Sequence, residues 1–328
     1  MISIHAWHKG ASLGAASLVI GMLLVSSTLA QVFPAKPVKM LLSMTGGGET
    51  NARIVAQRVP EFLGVPLVVE ANSAAGGAVA VMNTVRAEPD GYTILYSTAQ
   101  TLLFRPYLVQ NNPYHPVRDL TAIIQVGEAT QSIASSLTLP AATFSELLDY
   151  ARRNPGKVAY ATTGLGTTGH LAGSVIARLA GIDMVHVPYK GGTQALPDLM
   201  DGRVQLSFTT LSSFVSLWEK GKIRVLAITQ GSRSERFPEV PLVADVLPGY
   251  EVPPGWIGIM GPARMPSAVV KRIADAIIKA ANLPEVKART AEVGTIIKTR
   301  PPEEFAAAVK SDFEIAGRLI KGSGVQPE

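Results

Sequence analysis

The chain has 328 residues, 47% of them hydrophobic and 17% charged, with a formal net charge of +5 and no cysteine. That length and apolar content suit two α/β domains or one large one, and they exclude a disordered chain. The lack of cysteine excludes a disulfide framework, a thiol nucleophile, cysteine metal ligation and a lipid-modified N-terminal cysteine.

Residues 1–30 read as a secretory signal peptide. His5, His8 and Lys9 precede the uncharged apolar run "LGAASLVIGMLLV", and Thr28 and Ala30 supply the small residues of a cleavage site before Gln31. The alternative is a retained membrane anchor. The apolar core of about 13 residues falls short of the ~20 that a spanning helix needs. Cleavage removes Lys9 alone from the charged set, so the net charge of +5 becomes +4. The expectation is a soluble, exported, periplasmic protein with a mild pull on small anions. The basic residues form no run and aromatics are few, which argues against nucleic acid.

Past a "PAKP" leader, short β-rich runs alternate with helical stretches. Strands are expected at "VKMLLS", "PLVVEA", "YTILYS", "VAYATT", "MVHVPY", "VQLSF" and "IRVLAIT". Helices are expected near residues 51–63, 77–87, 145–154, 169–180, 194–201 and 214–220. The spacing implies βαβ units and parallel sheets. In the first helix Ala52, Val55, Ala56, Val59 and Leu63 share one face, and Pro60 should kink or end it. Thr143 and Glu146 form a capping box, and Gly202 should stop a helix. From Gly249 the pattern changes to an extended crossover, "GYEVPPGWIGIMGP", followed by helical segments.

The chemistry-bearing stretches are glycine turns. "SMTGGGETN" ends a strand at a helix N-terminus, where unpaired N–H groups and the positive end of the helix dipole form an anion cradle. Gly47 and Gly48 allow close approach, and Thr50 or Asn51 can cap. The closing Lys-Ser/Thr of a phosphate loop is missing, and Asn51 stands where a dinucleotide fingerprint needs glycine. A plain tight turn is the competing reading. "YATTGLGTTGHLAG" repeats the arrangement with Gly164, Gly166, Thr167 and Thr168. Two such turns could grip a small anion from both sides of a cleft. In "HVPYKGGTQ", Tyr189 and Lys190 are further candidates, although a solvated loop lysine is the simpler reading. His115, His170 and His186 show no metal-ligand spacing. No serine-hydrolase elbow occurs, and no cofactor motif.

The ordered set "KPVKMLL", "GVPLVVEANSAAGG", "AEPDGYTILYST", "PYHPVRDL", "NPGKVAYATTGLGTTGHLAG", "HVPYKGGTQALPDLMDGRVQLSF" and "RFPEVPLVADVLPGYEV" resembles the tripartite tricarboxylate transporter substrate-binding proteins, or Bug-type receptors. The resemblance runs over essentially the whole mature chain. It implies a type II periplasmic-binding-protein fold, a Venus flytrap of two α/β lobes joined by two crossovers. Lobe 1 would be residues 31–126 and 254–328, and lobe 2 residues 127–253. It also implies a ligand carboxylate held by backbone groups, hydroxyls and waters, without an arginine clamp. Thr98 and Ala99 fall on another cleft loop of the family, and Thr209 on the second lobe.

Three departures bear on the ligand. The family's "PFPPGGATD" is here "SMTGGGETN", so an aspartate has become Asn51. Its "VENRPGAGG" is here "VEANSAAGG". Gln205 stands where an acid is frequent. A less negative cleft suits a more highly charged anion and argues against an amino-acid ligand. The expected function is a monomeric, non-enzymatic solute receptor that captures a small organic anion. It would deliver this to a transporter with one small and one large multispanning subunit. A ligand-sensing receptor feeding a membrane sensor is the alternative.

Overall fold

The computed structural model describes residues 33–45, 47–189, 193–230, 232–233, 237–251 and 253–325. The expected signal peptide lies outside the described residues, and so does Lys190. Among the described residues no helix is long and apolar enough to cross a membrane.

Strands follow in chain order as β1 (Val38–Leu42), β2 (Leu67–Ala71), β3 (Thr93–Thr98), β4 (Leu120–Ala129), β5 (Gln131–Ser136), β6 (Val158–Thr162), β7 (Met184–Pro188), β8 (Leu206–Thr210), β9 (Ile223–Gln230), β10 (Trp256–Pro262) and β11 (Thr295–Arg300). They build two sheets, ordered β11-β4-β10-β3-β1-β2 and β7-β6-β8-β5-β9. The seven strands expected from the alternation are present, with β8 displaced two residues towards the C-terminus. The sheets are mixed, not parallel. β1 pairs in parallel with β2 and β3, while β10 runs antiparallel to both β3 and β4. In the second sheet β6 is parallel to β7 and β8, and β5 is antiparallel to β8 and β9.

Alternation along the strands sorts side chains onto two faces. Met40, Leu42, Ile94 and Tyr96 pack with Val55, Ile273 and Ile277 on one face of the first sheet. Leu41 and Leu95, one residue out of phase, join Phe104, Trp256 and Phe305 on the other. The first helix, Gly47–Arg58, stops before Val59, and Pro60 begins a separate turn through Leu63. This is the break that the missing proline N–H and its ring sterics demand. The Thr143 cap also forms, its hydroxyl accepting from Glu146 N at 3.2 Å.

The extended crossover of the sequence reading contains a central strand. All of Trp256–Pro262 is buried. Gly258 is required there, because a Cβ would strike the Phe305 ring. That ring meets Trp256 edge-on at 5.0 Å. Gly258, which weakens the strand pattern, therefore makes room for an aromatic from helix Pro302–Ser323, while Gly261 makes room for the Met265 thioether. The same helix packs on Thr168–Ala180, whose Leu171 enters the cluster around Trp256 and Phe305. It thus touches a strand of the first sheet and a helix that follows a strand of the second.

The chain leaves the first sheet after Ala129 and returns at Trp256. The two passages lie side by side, with Ala129 N donating to Gly255 O at 3.0 Å.

Candidate functional site

The first sheet carries its turns at the C-terminal ends of its three parallel strands, the first two of them glycine-rich. β1 leads to helix Gly47–Arg58, β2 to the turn Ala74–Gly77, and β3 to Ala99 and the wide π-type turn Gln100–Phe104. In open α/β sheets this edge is where ligands gather. Ser43 and Ser97 tie the ends of β1 and β3 through their hydroxyls at 2.8 Å. Gly77, at φ +88, lies so close to Ser43 O that no side chain fits. The Thr98 hydroxyl accepts from Thr101 N at 3.3 Å, and Ala99 is buried.

Gly47 and Gly48 form the first turn of their helix, and Thr50 follows on its exposed side. A Cβ on Gly48 would collide with the Met44 thioether. Asn51 is fully buried, and its Oδ1 accepts from the Tyr96 hydroxyl at 2.7 Å. Its Nδ2 has no partner. The residue therefore fixes the helix start to the centre of β3 from beneath. Burial drives the Tyr96 phenol far above its ordinary range, so it stays a donor.

The second sheet gathers its candidates into one knot. Thr162, at the end of β6, accepts from Gly164 N at 3.2 Å and from Tyr189 N, through hydroxyl and carbonyl respectively. The Thr167 hydroxyl donates to Gly164 O at 2.8 Å while capping helix Thr168–Ala180. Gly164 and Gly166 sit at φ +129 and +67, which favour glycine. Thr168 and Thr209 are buried. The Tyr189 hydroxyl donates to Asp198 at 2.7 Å, and burial and that carboxylate raise its pKa to about 12.

Beside this knot two histidines stack, with ring centroids 4.1 Å apart and planes at 16°. Gly166 N donates to His170 Nδ1 at 3.0 Å, and His186 Nε2 meets the Thr162 hydroxyl at 2.7 Å. Burial lowers the pKa of both. For His186, with His170 adding to the effect, it falls to about 4. Both rings are neutral at neutral pH. Sequence spacing does not reveal this pair, since one ring stands on a helix and the other on β7.

A cavity of about 590 Å³ is lined from both sheets, by Gly76, Thr101 and Arg105 on one side and Leu165, Gly166 and His170 on the other. Gly166 closes the gap, because a Cβ there would reach 3.1 Å from Leu108. Of the candidates read from the sequence, only Gly166 lines this cavity, and Arg105 was not among them. No group of three His, Cys, Asp or Glu suited to a metal occurs among the described residues.

Comparison with known proteins agrees with this geometry. Residues 51–325 match the model of the tripartite tricarboxylate transporter family receptor. A protein from the tcbD-tcbE intergenic region of Pseudomonas sp. (strain P51) is 32% identical over 94% of this chain and 95% of its own. The periplasmic binding protein BugD is 28% identical, with a TM-score of 0.74 over 90% of this chain and all of that one. R. palustris Rpa4515, solved with adipate, is 27% identical with a TM-score of 0.77 over 90% and 100% of the two chains. With its two mixed α/β sheets and its glycine turns at the strand ends, the chain belongs to the family of tripartite tricarboxylate transporter receptors.

Proposed function

We propose that this receptor captures a small organic acid in the periplasm, holding it between two lobes, and hands it to the membrane subunits of its transporter. The observation that carries the reading is that glycine turns from two separate sheets flank one cavity of about 590 Å³. The lobes would be residues 31–126 with 254–328, and residues 127–253. The side-by-side passages at Ala129 and Gly255 would serve as the hinge. Closure is then a population shift, driven by contacts that the ligand makes with both lobes at once.

Carboxylate recognition would fall to the backbone N–H groups at Gly47 and Gly48 and to the hydroxyls of Thr50, Thr98, Thr168 and Thr209, while Gly164, Gly166 and Thr167, whose own donors bond within their turn, would shape the opposite wall. Ala99 would lend backbone, and Tyr189 and Lys190 would close the site from the β7 side. Oriented N–H groups at a partly dry helix start bind an anion more strongly than the same groups in water. Asn51 would act through position, holding the first turn on Tyr96. No nucleophile or cofactor enters this scheme, and a monomer suffices for it. The adipate held by Rpa4515 supports an organic acid as the ligand class.

Isothermal titration of the purified mature chain with mono-, di- and tricarboxylates tests the proposal. Binding of at least one acid, with a matching rise in melting temperature, is the expected result. A protein that binds none of them, yet binds an amine or a sugar, overturns it.

A further inference from the structure

Arg105 is the feature of the cavity that a backbone-and-hydroxyl carboxylate site leaves unused. It opens a short helix, Arg105–Leu108, directly after the π-type turn Gln100–Phe104. Such wide turns reposition the side chains that follow them and recur at functional sites. The half-buried guanidinium is oriented from two sides. Its Nε donates to Ala75 O at 3.2 Å and its Nη1 to Asn112 Oδ1 at 3.4 Å. Asn112 is held in turn, its Nδ2 donating to Tyr114 O at 2.7 Å.

Both partners of Arg105 are neutral. Arg53, Arg58, Arg118, Arg152 and Arg203 each pair with a carboxylate, at 3.4 Å or closer. Arg105, like Arg224, Arg272 and Arg289, bonds neutral oxygens instead, and unlike those three it lines the cavity. A guanidinium carries five N–H donors, so two bonds leave most of its fork available. Two leucines, Leu108 and Leu165, stand on the wall beside it, and Leu165 is 60% exposed.

We propose that Arg105 makes this cavity a subsite for a second anionic group of the ligand, reached across an apolar spacer that lies along Leu108 and Leu165. The ligand is then an aliphatic dicarboxylate with one end at the glycine turns and the other at Arg105. This rests on the organic-acid reading of the cleft and adds to it a residue that selects charge at the far end. A planar fork takes a carboxylate through two parallel bonds, which a lone backbone turn does not provide.

The test compares wild type with Arg105→Gln by calorimetry against succinate, glutarate and adipate, and against butyrate and hexanoate as one-ended counterparts. Wild type should prefer the diacids. Arg105→Gln should lose about 30-fold on the best diacid and little on its monoacid counterpart, the worth of a charged hydrogen bond. Equal losses on both would mean that Arg105 only supports the fold, and no loss would mean a solvated arginine; either result overturns the subsite. A wild type that binds monoacids and diacids equally also overturns it, while leaving the organic-acid reading intact. A wild type that binds no acid overturns both.

The exposed Leu165 keeps the test decisive should Arg105→Gln fold poorly. Leu165→Lys should raise diacid affinity and Leu165→Glu should lower it. Diacid affinities that fall in both variants would overturn the proposal.

Discussion

The ring of His170 lies on that of His186, 4.1 Å between centroids, and each ring bonds a different member of the same turn, Gly166 for one and Thr162 for the other. A neutral His170 accepts a backbone N–H through Nδ1, and protonation there would replace that bond with a repulsion. Stacked rings cannot both charge without repelling each other, and burial already disfavours either cation. The second glycine turn is therefore tied to the neutral form of two histidines.

The consequence for acid stability has a definite sign. His186 titrates at about 4 when folded, against an ordinary 6.5, and His170 is lowered as well. The unfolded chain binds the extra protons, so this contribution is whole above the ordinary value and is lost as pH falls towards about 4. His186→Phe should flatten that part of the decline. Urea midpoints followed across this range would show it, and a variant that declines as steeply as wild type would refute the link.

The turn itself should resist side chains. Gly166 combines φ +67 with a Cβ position 3.1 Å from Leu108. Gly166→Ala is expected to cost about 1–3 kcal/mol, from left-handed backbone strain and the push on Leu108. Denaturant unfolding measures the loss. Gly181, also left-handed at φ +63 but with no atom near its Cβ, is the control, and its alanine variant should lose less.

Beneath the first turn, Tyr96→Phe removes the hydrogen bond to Asn51 and leaves a fully buried amide without any partner. The expected cost is about 1–3 kcal/mol. Adding Asn51→Leu should recover part of it, because an apolar pair strands no polar group. If the double variant is less stable than the sum of the singles, the bond is not what holds the helix start.

Much of this was legible in the sequence. Glycine turns announce themselves because a strand pattern stops at residues that permit left-handed backbone, and Gly164 and Gly166 adopt it. Strands β4 and β5 were hidden, since Gln125 and Glu128 interrupt the apolar run of one, and Ser132, Ser135 and Ser136 that of the other, although all are buried. β10 was hidden by Gly258 and Gly261, which admit the Phe305 ring and the Met265 side chain. Asn51 looked like a cap because its side chain's partner lies 45 residues away. Arg105 carried no sequence signal, and only the fold brings it to the cavity.

The proposed hinge offers the last prediction. Glu128, near the end of β4, receives Lys298 Nζ at 3.1 Å and the Ser232 hydroxyl at 3.1 Å. Lys298 also donates to Ser232 at 3.2 Å, which closes a triangle between β11, the first passage and the start of the second. The Glu128 side chain is only 12% exposed, so the pair is less screened than a surface bridge. If the proposed hinge lies here, such a tie gives it one preferred setting, and opening or closing works against it. Glu128→Gln keeps the size and weakens the two of these contacts that Glu128 makes. It should cost about 1–2 kcal/mol of stability. It should also broaden the ligand-free distribution between two spin labels, one on each lobe, while saturating ligand restores the narrow one. Loss of stability with an unchanged distribution would show that the triangle braces β4 and leaves the hinge setting to other contacts.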